Sequence, residues 1–375
     1  MKKLMSLVLG GMLMASCQPS VQKGVSGTLE GVESDSLLTM CFELGSGKNP
    51  VSDTIVLKNN KFSFSVNDSA LQIVRLYPIP TKGMAIDMSK VISLPVLPGV
   101  GVQITGKLGD YKLSGDPFYD ELMKVDALRK PYMAKMDSLL TMARKMQKDG
   151  AAQEEIMEAY KPAQGYFEEM NQLVVDYIAQ HGESAVSLYL LSQMDRGIQI
   201  DQFGKISENL KNGVWAPLYN TMKQGYDQEM ARRKAAEKVQ DGCPAPDFTL
   251  KNLKGESVAL SSLQGKYVVL DFWGSWCGWC IKGMPKMKEY YAKYHKKLEI
   301  MGIACNDSEK TWRKAVETHK LPWLNVLNDP AQKVLETYAI SGFPTKLVIG
   351  KDGKILKTFV GEDPAFYTFL DSILK

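Results

Sequence analysis

Two cysteines separated by two residues, Cys277-Gly278-Trp279-Cys280, have the clearest chemical purpose in this 375-residue sequence. Thiols at that spacing can join as a disulfide and part again, and the sulfur that ionises is the one that attacks. The pair follows an apolar run, Tyr267 to Phe272, that reads as a strand, and precedes a helical period over Met284 to Tyr294. At a helix N-terminus, unpaired backbone N–H groups and the positive end of the dipole stabilise a thiolate. Cys277 is therefore the candidate nucleophile, and Cys280, one turn further in, the candidate resolving thiol.

The flanking residues refine this chemistry. Asp271 closes the apolar strand, where burial of a carboxylate is costly and raises its pKa. Its neighbours Leu270 and Phe272 leave its facing open between an inward group and a surface carboxylate at a strand end. Trp273 reads as core, whereas Trp276 and Trp279 flank Cys277 and suit an apolar shield and docking surface for an extended client. Gly278-Trp279 carries no ionisable group between the cysteines, which favours a reductant and leaves isomerase or oxidase behaviour open. Lys282, Lys286, Lys288, Lys293, Lys296 and Lys297 could help to lower the Cys277 pKa, although most suit the solvated face of a helix.

The elements that must position these groups come after a boundary near Asp241. There Gly242-Cys243-Pro244-Ala245-Pro246-Asp247-Phe248 stops a charged helix and leads into a strand. Strand and helix signals then alternate through Leu298–Ala304, Ser308–His319, Trp323–Leu327, Lys346–Gly350, Ile355–Val360 and Ala365–Leu374, predicting an α/β layer fold over residues 242–375. Residues 24–115 show short alternating runs such as Phe62-Ser63-Phe64-Ser65-Val66 between Gly, Pro, Asn and Asp turns, predicting an antiparallel β-domain. Residues 116–241 shift to helical spacing, as in Met136, Leu139, Leu140 and Ala143, predicting a helical spacer.

Bulk properties narrow the setting. Hydrophobic residues make up 45% and charged residues 23%, enough for packed interiors in more than one domain. A net charge of +4 over this length argues against nucleic-acid binding. Met1-Lys2-Lys3 and the apolar stretch Leu4 to Ala15 have the form of a secretory signal. Met14-Ala15-Ser16-Cys17 resembles a bacterial lipobox, so residues 1–17 are expected to be a lipoprotein signal and Cys17 the lipidated anchor. The remaining Cys41, Cys243 and Cys305 are odd in number and irregular in spacing, which fits buried thiols better than a disulfide scaffold.

The residues around the pair resemble thioredoxin. Val269-Leu270-Asp271-Phe272-Trp273 leads into Gly274-Ser275-Trp276-Cys277-Gly278-Trp279-Cys280, and Pro285 follows five residues after the second cysteine. Gly342-Phe343-Pro344-Thr345 resembles the family's cis-proline loop, and Gly353 and Gly361 fall at its final hairpin. The Ala245 to Leu250 strand with its Gly255 turn and an insertion from about Ser308 to Asn328 shift the likeness towards TlpA/ResA-like envelope reductases, within the broader AhpC/TSA and thioredoxin group. The resemblance implies a thioredoxin fold, Cys277–Cys280 as the redox disulfide, Asp271 as a general base for Cys280, and no cofactor or metal. It implies that Trp276, Gly278, Trp279, Phe343, Pro344 and Thr345 form the substrate-binding surface. Two positions depart from the relatives: Gly283 stands where some ResA-like proteins carry a glutamate, and Gly302 where thioredoxin carries a lysine.

The segments before residue 241 loosely resemble lipid-anchored envelope proteins of the Bacteroides group. The expected partners are disulfide-containing envelope proteins, a membrane or periplasmic thiol donor, and the membrane itself through the lipid. A peroxidase would need a threonine at Gly274, and a zinc site would need more than the scattered His181, His295, His319 and Cys305. A binding lipoprotein with a merely structural disulfide is the non-enzymatic alternative.

Overall fold

A computed structural model describes residues 23–80, 86–87 and 90–375, so Cys17 and the signal-like segment lie outside the described residues. The chain divides into two compact units, one through Tyr226 and the other from Asp227.

The first unit contains β1 (Gly24–Glu30), β2 (Ser36–Glu43), β3 (Val51–Val56), β4 (Lys61–Phe64), β5 (Gln72–Pro78), β6 (Ile92–Val96), β7 (Gly101–Lys107) and β8 (Asp110–Ser114). They form two four-stranded sheets, ordered β4-β1-β7-β8 and β3-β2-β5-β6. Their pairings are antiparallel apart from β1 with β7, which run parallel. Alternation alone did not mark β2, β6 and β8. β6 contains Pro95 and lies at a sheet edge, where a missing N–H is tolerated.

The helices that follow are α1 (Pro117–Lys148), α2 (Gln153–Tyr160), α3 (Pro162–Gln180), α4 (Ala185–Ser192), α5 (Arg196–Gln202) and α6 (Ala216–Ala236). Asp116 starts α1 by accepting the Phe118 N–H at 2.9 Å. These helices, which stand between the sheets and the second unit in the chain, also pack on the sheets. Tyr119, Val174, Ile178, Leu188 and Trp215 share one core with Val25, Leu37, Val74, Leu94 and Ile104. The Tyr119 and Tyr189 hydroxyls donate to the carbonyls of Pro95 and Ser93 at 2.9 and 3.0 Å. Sheets with one apolar face need a covering layer, and residues 24–115 share one compact unit with the helices that follow, up to Tyr226.

The second unit begins before the predicted boundary at 241/242, because Val239 is buried in its core and the Gly242 N–H donates to the Ile355 carbonyl. It contains β9 (Thr249–Asn252), β10 (Ser257–Ala259), β11 (Tyr267–Trp273), α7 (Gly278–Tyr294), β12 (Leu298–Ala304), α8 (Glu309–His319) and β13 (Leu324–Leu327). After these come α9 (Val334–Thr337), β14 (Thr345–Ile349), β15 (Ile355–Val360) and α10 (Pro364–Leu374). The seven-stranded sheet has the order β10-β9-β13-β12-β11-β14-β15, with β13, β12 and β11 parallel and β14 and β15 antiparallel. This is a thioredoxin fold extended by the β9–β10 hairpin and by α8 with β13.

The two-residue period of the strands sorts the sheet's faces. Val269, Trp273, Ile300 and Val348 pack with Met284 and Met287 of α7 and Phe366 and Leu370 of α10. Val268, Leu270, Phe272 and Ile303 pack on the other side with Val334 and Tyr338. The four-residue α9 is too short to show a period in the sequence.

Candidate active site

β11 is buried along nearly its whole length and ends at Trp273, from which a short turn passes to α7. Gly274 allows that turn. A Cβ there would overlap the Trp276 indole, which folds back and donates Nε1–H to the Cys305 carbonyl at 3.1 Å. Asp307 fixes the same turn, accepting the Ser275 N–H at 2.8 Å and the Ser275 hydroxyl at 2.5 Å.

Cys277 is the N-cap of α7, and its sulfur accepts the Cys280 N–H at 3.2 Å. The two cysteines are joined as a disulfide with an S–S distance of 2.06 Å. Both are buried, with Cys277 only slightly more accessible than Cys280. Cys41, Cys243 and Cys305 are free thiols; Cys305 is fully buried, and Cys41 and Cys243 are partly buried. Burial, with Asp271 and Asp307 adding to it, pushes the Cys305 thiol up to about 12.

Around the disulfide the surface is aromatic. Trp276 is 54% exposed and Trp279 is 64% exposed, an arrangement unlike that of core tryptophans such as Trp273. Phe343 meets Trp276 edge to face at 5.4 Å between ring centroids, and Lys282 Nζ lies 4.9 Å over the Trp279 ring. Gly278, the first residue of α7, is exposed and has open space beside it. The Phe343–Pro344 peptide bond is cis, and the Pro344 carbonyl accepts the Gly361 N–H at 2.8 Å. Thr345, expected on the binding surface, is buried and donates its hydroxyl to the Gly342 carbonyl at 2.8 Å. Its side chain holds the loop from inside.

A buried polar row crosses the sheet through β11. Asp271 shares the face of β11 that carries Val269 and Trp273, and is 3% exposed, which removes the surface-carboxylate alternative. Its register partners are Gly302 on β12 and Lys346 on β14, and Gly302 in turn pairs with Asn325 on β13. Lys346 is 2% exposed. Its Nζ donates to Glu362 at 2.5 Å and lies 3.7 Å from Asp271 Oδ1, an ion-pair distance without a hydrogen bond. Burial drives the Asp271 carboxyl above its usual range; Lys346 opposes that rise and Glu362 adds to it.

The two departures noted in the sequence find their explanation here. A Cβ at Gly283 would overlap the Glu362 carboxylate, and one at Gly302 would crowd Trp323 Nε1 at 2.9 Å, Asn325 Oδ1 at 3.2 Å and Trp273 Nε1 at 3.3 Å. Lys346, Glu362 and Asp307 were not singled out by sequence reasoning. The signal for Lys346 was a cation inside the strand run Thr345-Lys346-Leu347-Val348-Ile349; Glu362 and Asp307 lie in loops and carried none.

Residues 242–358 match the model of the AhpC/TSA family. The thiol-disulfide oxidoreductase ResA of Bacillus anthracis is 39% identical over 127 residues, which span 34% of this chain and 73% of that protein. ResA of Bacillus subtilis strain 168 is 32% identical over 138 residues, spanning 36% of this chain and 76% of the relative. The crystal structure of the thioredoxin domain of a thiol-disulfide oxidoreductase from Bacteroides vulgatus aligns at 33% identity with a TM-score of 0.35, covering 36% of this chain and 99% of that one. With an identity of 39% across most of a ResA protein and a cysteine pair capping α7 of a thioredoxin fold, the chain belongs to the ResA-like thiol-disulfide oxidoreductases.

Proposed function

We propose that this enzyme reduces protein disulfides in the cell envelope through the Cys277–Cys280 dithiol. The observation that carries the reading is the disulfide at the N-cap of a 17-residue helix, flanked by exposed indoles and preceded by a strand that buries a carboxylate. In the reduced enzyme the helix terminus stabilises the Cys277 thiolate. That sulfur attacks a substrate disulfide, forming a mixed disulfide and releasing the first substrate sulfur as a thiolate that takes up a proton. Asp271 then accepts the Cys280 proton, and the Cys280 sulfur attacks Cys277, so the mixed bond breaks and the second substrate thiolate leaves and is protonated. The substrate gains two electrons and two protons and the enzyme becomes the disulfide. A thiol donor of the envelope restores the dithiol.

Trp276, Trp279 and Phe343 form the docking rim for an extended client segment, with the buried Pro344 shaping the loop behind Phe343 and Gly278 leaving the approach to the sulfurs open. The basic start, the apolar stretch and Cys17 support export and lipid anchoring on the periplasmic side of a membrane. The reductase direction rests on Gly278-Trp279, which offers no ionisable group to favour an oxidant. A peroxidase is disfavoured because the position of its threonine is Gly274, where a side chain would displace Trp276.

The test is trapping. Reduced Cys280→Ala mixed with a disulfide-containing peptide should accumulate a stable mixed disulfide through Cys277, while Cys277→Ala should form none. Equal trapping by both variants, or by neither, would contradict these roles.

A further inference from the structure

We infer that Lys346 and Glu362 are the positioning pair that sets the protonation of Asp271, supplied from β14 and the loop before α10, where Gly283 of α7 leaves the Glu362 carboxylate its space. The inference rests on the reading of Asp271 as the base for Cys280 and goes beyond it by naming what makes that carboxyl able to hold a proton.

The charge count in the buried row carries the inference. Two carboxylates, Asp271 and Glu362, face one ammonium, Lys346. Lys346 makes its hydrogen bond to Glu362 at 2.5 Å and stays 3.7 Å from Asp271. Asp271 Oδ1 has no hydrogen-bond partner. Glu362 therefore takes most of the cation's compensation, and Asp271 is left as the group that binds and releases a proton. A buried lysine fully committed to Asp271 would hold the carboxylate ionised and make it a poor base. Glu362 prevents that by drawing Lys346 away.

Packing makes the arrangement specific. The Glu362 carboxylate fills the space that a side chain at position 283 would need, one turn beyond Cys280 on α7. The neighbouring elements bring few other titratable groups to Asp271. α7 contributes the Cys277–Cys280 disulfide, α10 contributes the Tyr367 hydroxyl, which donates to the Gly283 carbonyl at 3.4 Å, and the residue after β12 contributes the Cys305 thiol. Burial raises the Tyr367 and Cys305 pKa values further from neutrality, so both remain protonated through the working range. Lys286 of α7 lies over the Tyr367 ring at 4.1 Å. Asn325 of β13 is neutral. Within this setting Lys346 and Glu362 are the charges nearest the carboxyl.

The pair makes a prediction of opposite signs. In Glu362→Gln the repelling charge is lost and Lys346 is free for Asp271, so the Asp271 titration should move down by at least about one pH unit. In Lys346→Met the compensating cation is lost and the titration should move up by a similar amount. The measurement follows the carbon-13 carboxyl resonances of aspartate against pH in the oxidised full chain in detergent, with Asp271→Asn identifying the signal. The acid limb of the rate of small-molecule disulfide reduction should move with it in each variant.

An Asp271 titration that stays in place in Glu362→Gln, or moves the same way in both variants, would overturn the inference. Glu362 is 17% exposed in its side chain and glutamine preserves its shape, so that variant decides the matter even where Lys346→Met fails to fold. The base role itself is judged separately. If Asp271→Asn leaves the pH dependence of reduction unchanged, that role fails whatever the carboxyl titration does.

Discussion

The two units bury polar side chains in different ways. Among the described residues, the fully buried polar groups of the first unit are Thr39, Gln72 and Ser187, and each donates to a nearby backbone carbonyl, those of Asp53, Asn67 and His181. They are neutral staples that close turns and strand pairs. In the second unit Asp271, Lys346 and Asn325 lie in one row across neighbouring strands, with Asp271 Oδ1 and Asn325 Oδ1 lacking hydrogen-bond partners. Satisfied buried polar groups rigidify a core, whereas charged and incompletely paired ones cost stability and mark chemistry. The charges in that row set the unit with the cysteine pair apart, while the unpartnered polar atoms of the first unit, Ser93 Oγ and Arg129 Nε, belong to no such row.

The largest effect should come from breaking the charged row. Lys346→Met leaves the buried Asp271 and the half-buried Glu362 without their cation and should destabilise the second unit by about 3–5 kcal/mol. Ser187→Ala in the first unit removes a neutral staple and should cost about 1 kcal/mol. Denaturant unfolding of both variants compares them, and equal losses would erase the contrast between the units.

A smaller effect concerns pH. The Asp271 carboxyl has a raised pKa in the folded chain, so the native state binds its proton more tightly than the unfolded state does. Stability from this group is fully present below the ordinary carboxylate value of 3.8 and is lost as pH rises through the higher folded value. Asp271→Asn should flatten that decline, most visibly as a higher thermal midpoint on the alkaline side. A midpoint that follows pH as the parent does would place the cost elsewhere.

The smallest stability effect is expected at the rim. Trp279→Ala removes an exposed ring and should change stability by no more than about 0.5 kcal/mol. The same change should raise KM for a protein disulfide and leave reduction of a small disulfide nearly unaltered. An equal loss on both substrates would assign Trp279 to the sulfur chemistry instead of docking.

Much of the second unit was legible in the sequence because local rules dominate there. The apolar run to Trp273, the cysteine spacing, Gly342-Phe343-Pro344 and the helical periods are short-range signals, and the elements lie close to where they are predicted. Lys346 and Glu362 were missed because their meaning arises only when β14 is laid beside β11 and the following loop meets Gly283. Register and packing between distant segments are not written in alternation. In the first unit, β2, β6 and β8 lack a clean two-residue period, and the parallel pairing of β1 with β7 joins segments far apart in the chain. The packing of the helices on these sheets was not legible, because apolar stripes do not say which surface they cover.

The most direct test is a redox titration of the Cys277/Cys280 couple in the full chain in detergent, equilibrated against graded dithiothreitol ratios and read by alkylation of the free thiols. A reversible two-electron couple near thioredoxin's value of about −270 mV is the predicted result. A couple near about −120 mV would reverse the direction to disulfide formation, and a disulfide that never cycles would contradict the account.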